Sequence, residues 1–305
     1  MWLALAITAT LAGCAAFDAK QREWIFQPTD RSWPAGLAAA QGMQDVWIAF
    51  DSRETGQPTR LHGLWLPQEG RPDAPLLLYL HGARWDVRGS AHRMRRMHEL
   101  GFAVLGVDYR GFGQSTPGLP SEAMAVEDAR AGWDWLAAQH PGRQRYLFGH
   151  SLGGAIAVRL AAELGGEVAE RAAAATASTP PATPSTARSP QTEAPLSGLI
   201  VEGSFTSVAD VVSRHRWGWL PVGPLITQRF EAGQHIARVR APVLVVHGSD
   251  DQMIHPELGR ALYDLAPEPK RFLLVEGGSH HNTNAVGQSL YRDALAGLFG
   301  LGGGR

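Results

Sequence analysis

Short apolar runs, separated by stretches with helical spacing, set the pattern of this chain. Leu76–Leu80, Phe102–Val107, Arg145–Phe148, Gly198–Val201, Val243–Val246 and Phe272–Val275 are largely apolar segments of strand length. Their lack of apolar–polar alternation predicts strands covered on both faces. Upstream, Val46–Phe50 and Leu61–Leu66 flank a polar turn around Gly56 and predict an antiparallel pair. Between the runs, Ser121–His140 carries Val126, Ala129, Trp133 and Leu136 at helical spacing, which makes them core positions. Helical patterns recur over Pro256–Ala266 and Ala285–Phe299. Strand–helix alternation of this kind predicts an α/β fold with a mostly parallel, doubly wound sheet.

Three segments depart from that rhythm. Residues 14–44 read as an irregular lead-in, with Trp24, Phe26 and Trp33 laid on the core. Residues 172–195 are dominated by Ala, Thr, Ser and Pro without apolar periodicity. Such a composition buries too little surface to offset ordering entropy, which predicts a disordered surface insertion. Residues 205–240 are short and helical in pattern, with Trp217, Trp219, Leu220, Pro221 and Val222 as an apolar group. That group either lines an acyl pocket as a lid or packs a cap onto the sheet. The sheet domain itself spans 45–300, and no internal repeat is present.

Gly149-His150-Ser151-Leu152-Gly153 lies between Tyr146-Leu147-Phe148 and an alanine-rich helical stretch. Gly-x-Ser-x-Gly at a strand-to-helix turn is the pattern of a nucleophile elbow. A tight turn pushes the serine Oγ clear of the backbone, and small neighbours two residues away on either side avoid collision. Partners follow in order. Val243–Val246 runs into His247-Gly248-Ser249-Asp250-Asp251, and Phe272–Val275 runs towards Ser279-His280-His281-Asn282. A carboxylate and a histidine placed after strand ends, in the order Ser, Asp, His, are what activation of a serine hydroxyl needs.

With these blocks, Leu80-His81-Gly82 and Asp108-Tyr109-Arg110-Gly111-Phe112-Gly113-Gln114-Ser115, the chain resembles the α/β-hydrolase superfamily over Asp45 to Phe299. More closely it resembles the serine aminopeptidase-like, monoacylglycerol-lipase-like and membrane-associated depalmitoylase-like branch. The resemblance implies an α/β-hydrolase fold with a short helical cap. It places the acid on Asp251 rather than Asp250, and favours His281 over His280 because a Gly-His-Asn ending is frequent in the family. It also implies an oxyanion hole from the Leu152 and Ala83 N–H groups, with Arg84 as the alternative to Ala83. His81 is expected to brace its loop, His247 to lie near Asp251, and Asp108–Gly111 to be architectural.

Charge and cysteine content narrow the function. The 305 residues carry a net charge of −1 with 19% charged side chains, which gives no electrostatic footprint for nucleic acid. Arg93-Met94-Arg95-Arg96 is expected on an exposed helix face. His247 lacks the paired-ligand spacing of zinc sites, so neither metal nor cofactor is expected. The single cysteine, Cys14, excludes an intramolecular disulfide and ends Leu11-Ala12-Gly13-Cys14 after an apolar run. That segment resembles a bacterial lipobox, although no Lys or Arg precedes the run. The run is far shorter than the roughly 20 residues a spanning helix needs. The resemblance implies a signal segment over 1–13, acylation of Cys14, and attachment to a membrane surface. The expected location is the bacterial envelope, at the periplasmic face of the outer membrane; a cytoplasmic enzyme is the alternative.

The function expected from the chain is a monomeric serine hydrolase, cleaving carboxylic esters or thioesters of small acyl, lipid-like substrates through an acyl-enzyme. The alternatives are an aminopeptidase-like serine peptidase acting on small amides, and a non-catalytic lipoprotein binding module on the same fold.

Overall fold

A computed structural model describes residues 2–32, 34–177, 196–214 and 223–301. Eight strands form one sheet in the order β1-β2-β4-β3-β5-β6-β7-β8. They are β1 (Gln44–Asp51), β2 (Pro58–Leu66), β3 (Leu76–Leu80), β4 (Ala103–Val107), β5 (Arg145–His150), β6 (Leu196–Glu202), β7 (Val243–Gly248) and β8 (Lys270–Val275). β1 and β2 form the antiparallel pair, β2 joins β4 antiparallel, and every later pairing is parallel.

Helices cover both faces. On one lie α4 (Glu122–Gln139), α5 (Leu152–Ala177) and α8 (Pro256–Leu265), packed on Leu76, Leu78, Leu80, Leu147, Val201 and Val245. On the other lie α3 (Ala91–Glu99) and α10 (Gln288–Phe299), packed on Leu77, Tyr79, Phe148, Ile200 and Val246. Alternate residues of β3 to β7 thus serve opposite cores, which is why those strands are largely apolar. The edge strand β8, contrary to expectation, is not covered on both faces and leaves Arg271 and Leu274 exposed. Trp133, expected in the core, is 2% exposed. The carboxyl ends of β3, β5, β6, β7 and β8 share one edge, where open α/β sheets bind ligands.

Residues 14–44 are not irregular. Helix α1 (Trp2–Phe26) takes up residues 14–26 of the segment and α2 (Pro34–Ala40) lies near its end. Phe26 is fully buried, with its ring 5.6 Å from that of Phe230 and 6.4 Å from that of Phe112, so the end of α1 is anchored by aromatic packing. Trp24, by contrast, is exposed, and Trp33 lies outside the described residues. The start of the expected insertion is also helical, since residues 172–177 belong to α5; residues 178–195 lie outside the described residues. Between β6 and β7 the described elements are α6 (Val208–Ser213), a 3-10 turn (Gly223–Leu225) and α7 (Ala232–Ile236). The apolar group Trp217–Val222 lies outside the described residues.

Candidate active site

Ser151 sits at the hinge between β5 and α5 with φ +56°, a left-handed backbone that costs a non-glycine residue about 1–3 kcal/mol. The flanking glycines leave no alternative. A Cβ on Gly149 would lie 2.2 Å from the Gly153 carbonyl oxygen, and one on Gly153 would lie 2.2 Å from that of Leu80. β5, the turn and β3 therefore pack backbone to backbone. Gly82, after β3, would place a Cβ 3.1 Å from that of Ser151, so the Leu80-His81-Gly82 block is what lets this loop approach the serine.

Ser151 opens onto a cavity of about 420 Å³, whose lining includes Ala83, Arg84, His92, Arg96, His280 and His281. A larger groove of about 640 Å³, between β1 and α4, does not reach this edge and is lined by ion-paired side chains such as Arg130 and Glu167.

Asp251 is buried just beyond β7. Its Oδ1 accepts the N–H groups of Met253 (3.0 Å) and Ile254 (2.9 Å), and Oδ2 lies 2.8 Å from His280 Nδ1. Burial opposes ionisation of this carboxyl. The hydrogen bonds from His247 and His280, the His280 charge and the Ile254 N–H outweigh it and hold the group well below the usual carboxylate range. Asp250 is exposed and only accepts from the Ser249 hydroxyl, at 2.8 Å. His247 Nε2 lies 3.4 Å from Asp251 Oδ2 and 2.8 Å from the Ile254 carbonyl oxygen, next to the acid as expected.

The histidine joined to Asp251 is His280, not His281. The β8–α9 connection leading into α9 (Thr283–Val286) is a turn in which Asn282 Oδ1 accepts from the Ser279 N–H (2.7 Å) and hydroxyl (2.9 Å). That turn buries His280 to 6% exposure against Asp251 and leaves His281 exposed at the cavity rim. Asn282, which made the Gly-His-Asn ending attractive, closes the turn instead. Gly203, behind the pair, sits at φ +56°, a backbone that glycine adopts without strain.

Of the expected oxyanion donors, Leu152 is the first residue of α5, where N–H groups lack helical partners. Ala83 lines the cavity beside Ser151. Arg84, the alternative donor, is excluded because its N–H donates to the Phe26 carbonyl at 2.8 Å. Arg84 is itself at φ +84°, and its Nε donates to Gln27 Oε1 at 3.1 Å, which places the end of α1 on the cavity rim. His81 braces the loop as expected. Its Nδ1 lies 2.7 Å from the Gly82 carbonyl oxygen, and its ring packs tilted against Tyr109 and edge-on against Phe112.

The arginine cluster Arg93-Met94-Arg95-Arg96 is not an exposed basic face. Arg93 is half-buried and pairs with the buried Glu202 at 2.7 Å, Arg95 Nε donates to the Ala39 carbonyl at 2.5 Å, and Arg96 lines the cavity. Arg93 was missed because its partner lies 109 positions away. The only signal was Glu202, a carboxylate ending an apolar strand, which needs a cation nearby.

A serine on a strained elbow, at the carboxyl edge of a doubly wound sheet and lining one cavity with a carboxylate-bound histidine, is the arrangement of an α/β hydrolase. The chain belongs to that family: residues 71–214 match the family described as serine aminopeptidase, S33. An uncharacterized protein of Mycobacterium tuberculosis is 32% identical over 279 residues, 90% of this chain and 86% of that protein. Lysophosphatidylserine lipase ABHD12 of Rattus norvegicus is 28% identical over 224 residues, 68% of this chain and 50% of the lipase. Among solved structures, an esterase from Pyrococcus furiosus superposes with a TM-score of 0.61 at 16% identity, over 90% of this chain and 97% of that one. The esterase domain of a Rhodothermus marinus protein gives 0.53 at 20% identity, over 84% and 100%. The chain is thus an α/β hydrolase.

Proposed function

We infer that this hydrolase uses Ser151 as nucleophile, His280 as general base and acid, and Asp251 as the group that orients the imidazole. Its substrates are carboxylic esters or thioesters of acyl, lipid-like molecules. The observation that carries this reading is the Asp251–His280 pair at 2.8 Å, with His280 facing the same cavity as the strained Ser151.

In the first half-reaction His280 takes the Ser151 proton as Oγ bonds to the acyl carbon. The negative charge on the carbonyl oxygen is met by the Ala83 and Leu152 N–H groups. Collapse breaks the bond to the leaving group, which receives the proton from His280, and leaves the acyl group on Ser151. Water then attacks with His280 as base, releasing the acid and restoring Ser151. Asp251 stays ionised throughout and stabilises the imidazolium.

The cavity chemistry favours esters over aminopeptide substrates. Among its described lining residues there is no carboxylate to receive an α-ammonium group, while Arg84, His92 and Arg96 are present. Such a wall suits an acyl substrate bearing an anionic group, and the name of the lysophosphatidylserine lipase relatives points the same way. Attachment through an acylated Cys14 is part of the proposal. Cys14 is exposed on α1, and no helix among the described residues is long and apolar enough to cross a membrane.

Labelling with a fluorophosphonate tests the nucleophile. A covalent adduct on Ser151, lost in Ser151→Ala, is the expected result, and an unlabelled wild-type protein would favour a binding module. Fractionation of bacteria expressing wild type or Cys14→Ser tests the anchor. Release of active enzyme by the substitution supports it; an unmodified Cys14 in soluble wild type overturns it.

A further inference from the structure

We propose that Arg93 is a positioning residue for the hydrolysis set out above, on which this assignment rests. Its guanidinium, carried by α3, reaches under the carboxyl edge of the sheet. Nε donates to Glu202 Oε1 at 2.7 Å, and Nη2 donates to the main-chain carbonyl of His280 at 2.8 Å. The same Nη2 lies 3.1 Å from Nε2 of His150, the residue immediately before Ser151, whose ring packs on that of His280 at 4.8 Å. One side chain therefore touches both the strand end that presents the nucleophile and the turn that presents the histidine.

The pattern of bonds separates this arrangement from a simple buried ion pair. Two parallel N–H bonds to one carboxylate would be the strongest use of an arginine. Here Glu202 spends its second oxygen on the Tyr291 hydroxyl, and Arg93 spends Nη2 on the His280 carbonyl. Burial, reinforced by the Arg93 charge, pushes His150 well below the usual imidazole range. Its Nε2 also lies 3.0 Å from the His280 carbonyl oxygen, so Arg93 Nη2, His150 Nε2 and that carbonyl meet at one point. Ser151 and His280 come from β5 and from the turn after β8, which are not adjacent strands. Their mutual placement depends on a link across the intervening edge, and Arg93 supplies it together with the direct contact of His150 with the His280 carbonyl.

The experiment uses the full chain and a neutral ester, p-nitrophenyl butyrate, so that loss of a cavity charge does not act through substrate binding. Arg93→Met with Glu202→Gln removes both charges and leaves no buried ion unpaired. The expected result is a fall in kcat of about 10²-fold with KM within about threefold, as for misplacement of reacting groups. Arg93→Lys, whose single ammonium cannot hold carboxylate and carbonyl together, should recover part of that loss. If the double variant does not fold, Tyr291→Phe gives the answer: it frees the Glu202 oxygen to draw Nη2 off the His280 carbonyl, and kcat should fall severalfold at constant KM. Folded variants with wild-type kcat would overturn the proposal. Ser151→Ala separates it from the reading beneath: retained turnover there would bring down the nucleophile assignment itself.

Discussion

Two ion-paired arginines of this hydrolase, one buried and one half-buried, make opposite uses of the same chemistry. Arg110, 2% exposed, gives its main-chain N–H and Nε to the two Asp128 oxygens at 2.8 Å each, Nη1 to Ser52 Oγ at 2.7 Å, and Nη2 to Glu127 Oε2 at 2.5 Å. Its partners lie on the β1–β2 hairpin and the first half of α4, while Arg110 itself sits in the loop between β4 and α4. Arg93 holds one carboxylate and leaves the rest of its fork for the His280 carbonyl and His150. The first arrangement saturates a guanidinium with carboxylate and fastens an element to the scaffold. The second diverts donors to groups beside the reacting atoms. Burial alone does not mark a functional charge; the partners do.

The largest contrast is between the acids of the two regions. Asp251→Asn keeps the shape but favours the wrong tautomer of His280, and should reduce ester turnover by about 10⁴-fold, the loss found for that change in a serine protease. Asp128→Asn leaves Arg110 without its main counter-ion, and should cost about 3–5 kcal/mol of stability while the folded enzyme keeps its kcat. Paired urea titrations and steady-state kinetics check both. If Asp128→Asn also lowered the kcat of folded protein, the two knots would not be separable.

Acid sharpens the same comparison. The Asp251 pKa is depressed in the folded state, so its contribution to stability is complete above the unfolded value of about 3.9 and is lost as pH falls through the folded value. Removing that carboxyl in Asp251→Asn should flatten the decline of the urea midpoint below about pH 4. An unchanged acid limb would mean that other carboxylates govern it.

A smaller effect is expected at the cavity wall. Arg84→Gly removes a left-handed strain of about 1–3 kcal/mol and keeps the N–H bond to Phe26, so the melting temperature should hold or rise. KM for an anionic acyl ester should rise about tenfold, the loss of one charge-assisted hydrogen bond, with little change for a neutral ester. Equal KM changes for both esters would remove Arg84 from anion recognition.

The sheet was legible because the central parallel strands are covered on both faces and are therefore apolar at most positions. The elbow was legible because only glycine fits where β5, α5 and β3 meet. Three features were not. The helix over 14–26 lacks a clear apolar period, and what fixes its end is the packing of Phe26 on Phe112 and Phe230 far along the chain. The choice between His280 and His281 depends on the direction of a turn closed by Ser279 and Asn282, which residue type and order do not specify. Arg93 stood in a run of basic residues on α3, and its burial follows from Glu202 and from the His280 carbonyl, neither of them local.

The central claim is that His280, held by Asp251, serves Ser151. Steady-state hydrolysis of one ester by His280→Ala and His281→Ala, side by side, tests it most directly. The account predicts loss of turnover by at least about 10³-fold in His280→Ala. His281→Ala, at the exposed rim, should stay within about threefold of wild type in kcat. An inactive His281→Ala beside an active His280→Ala would contradict it.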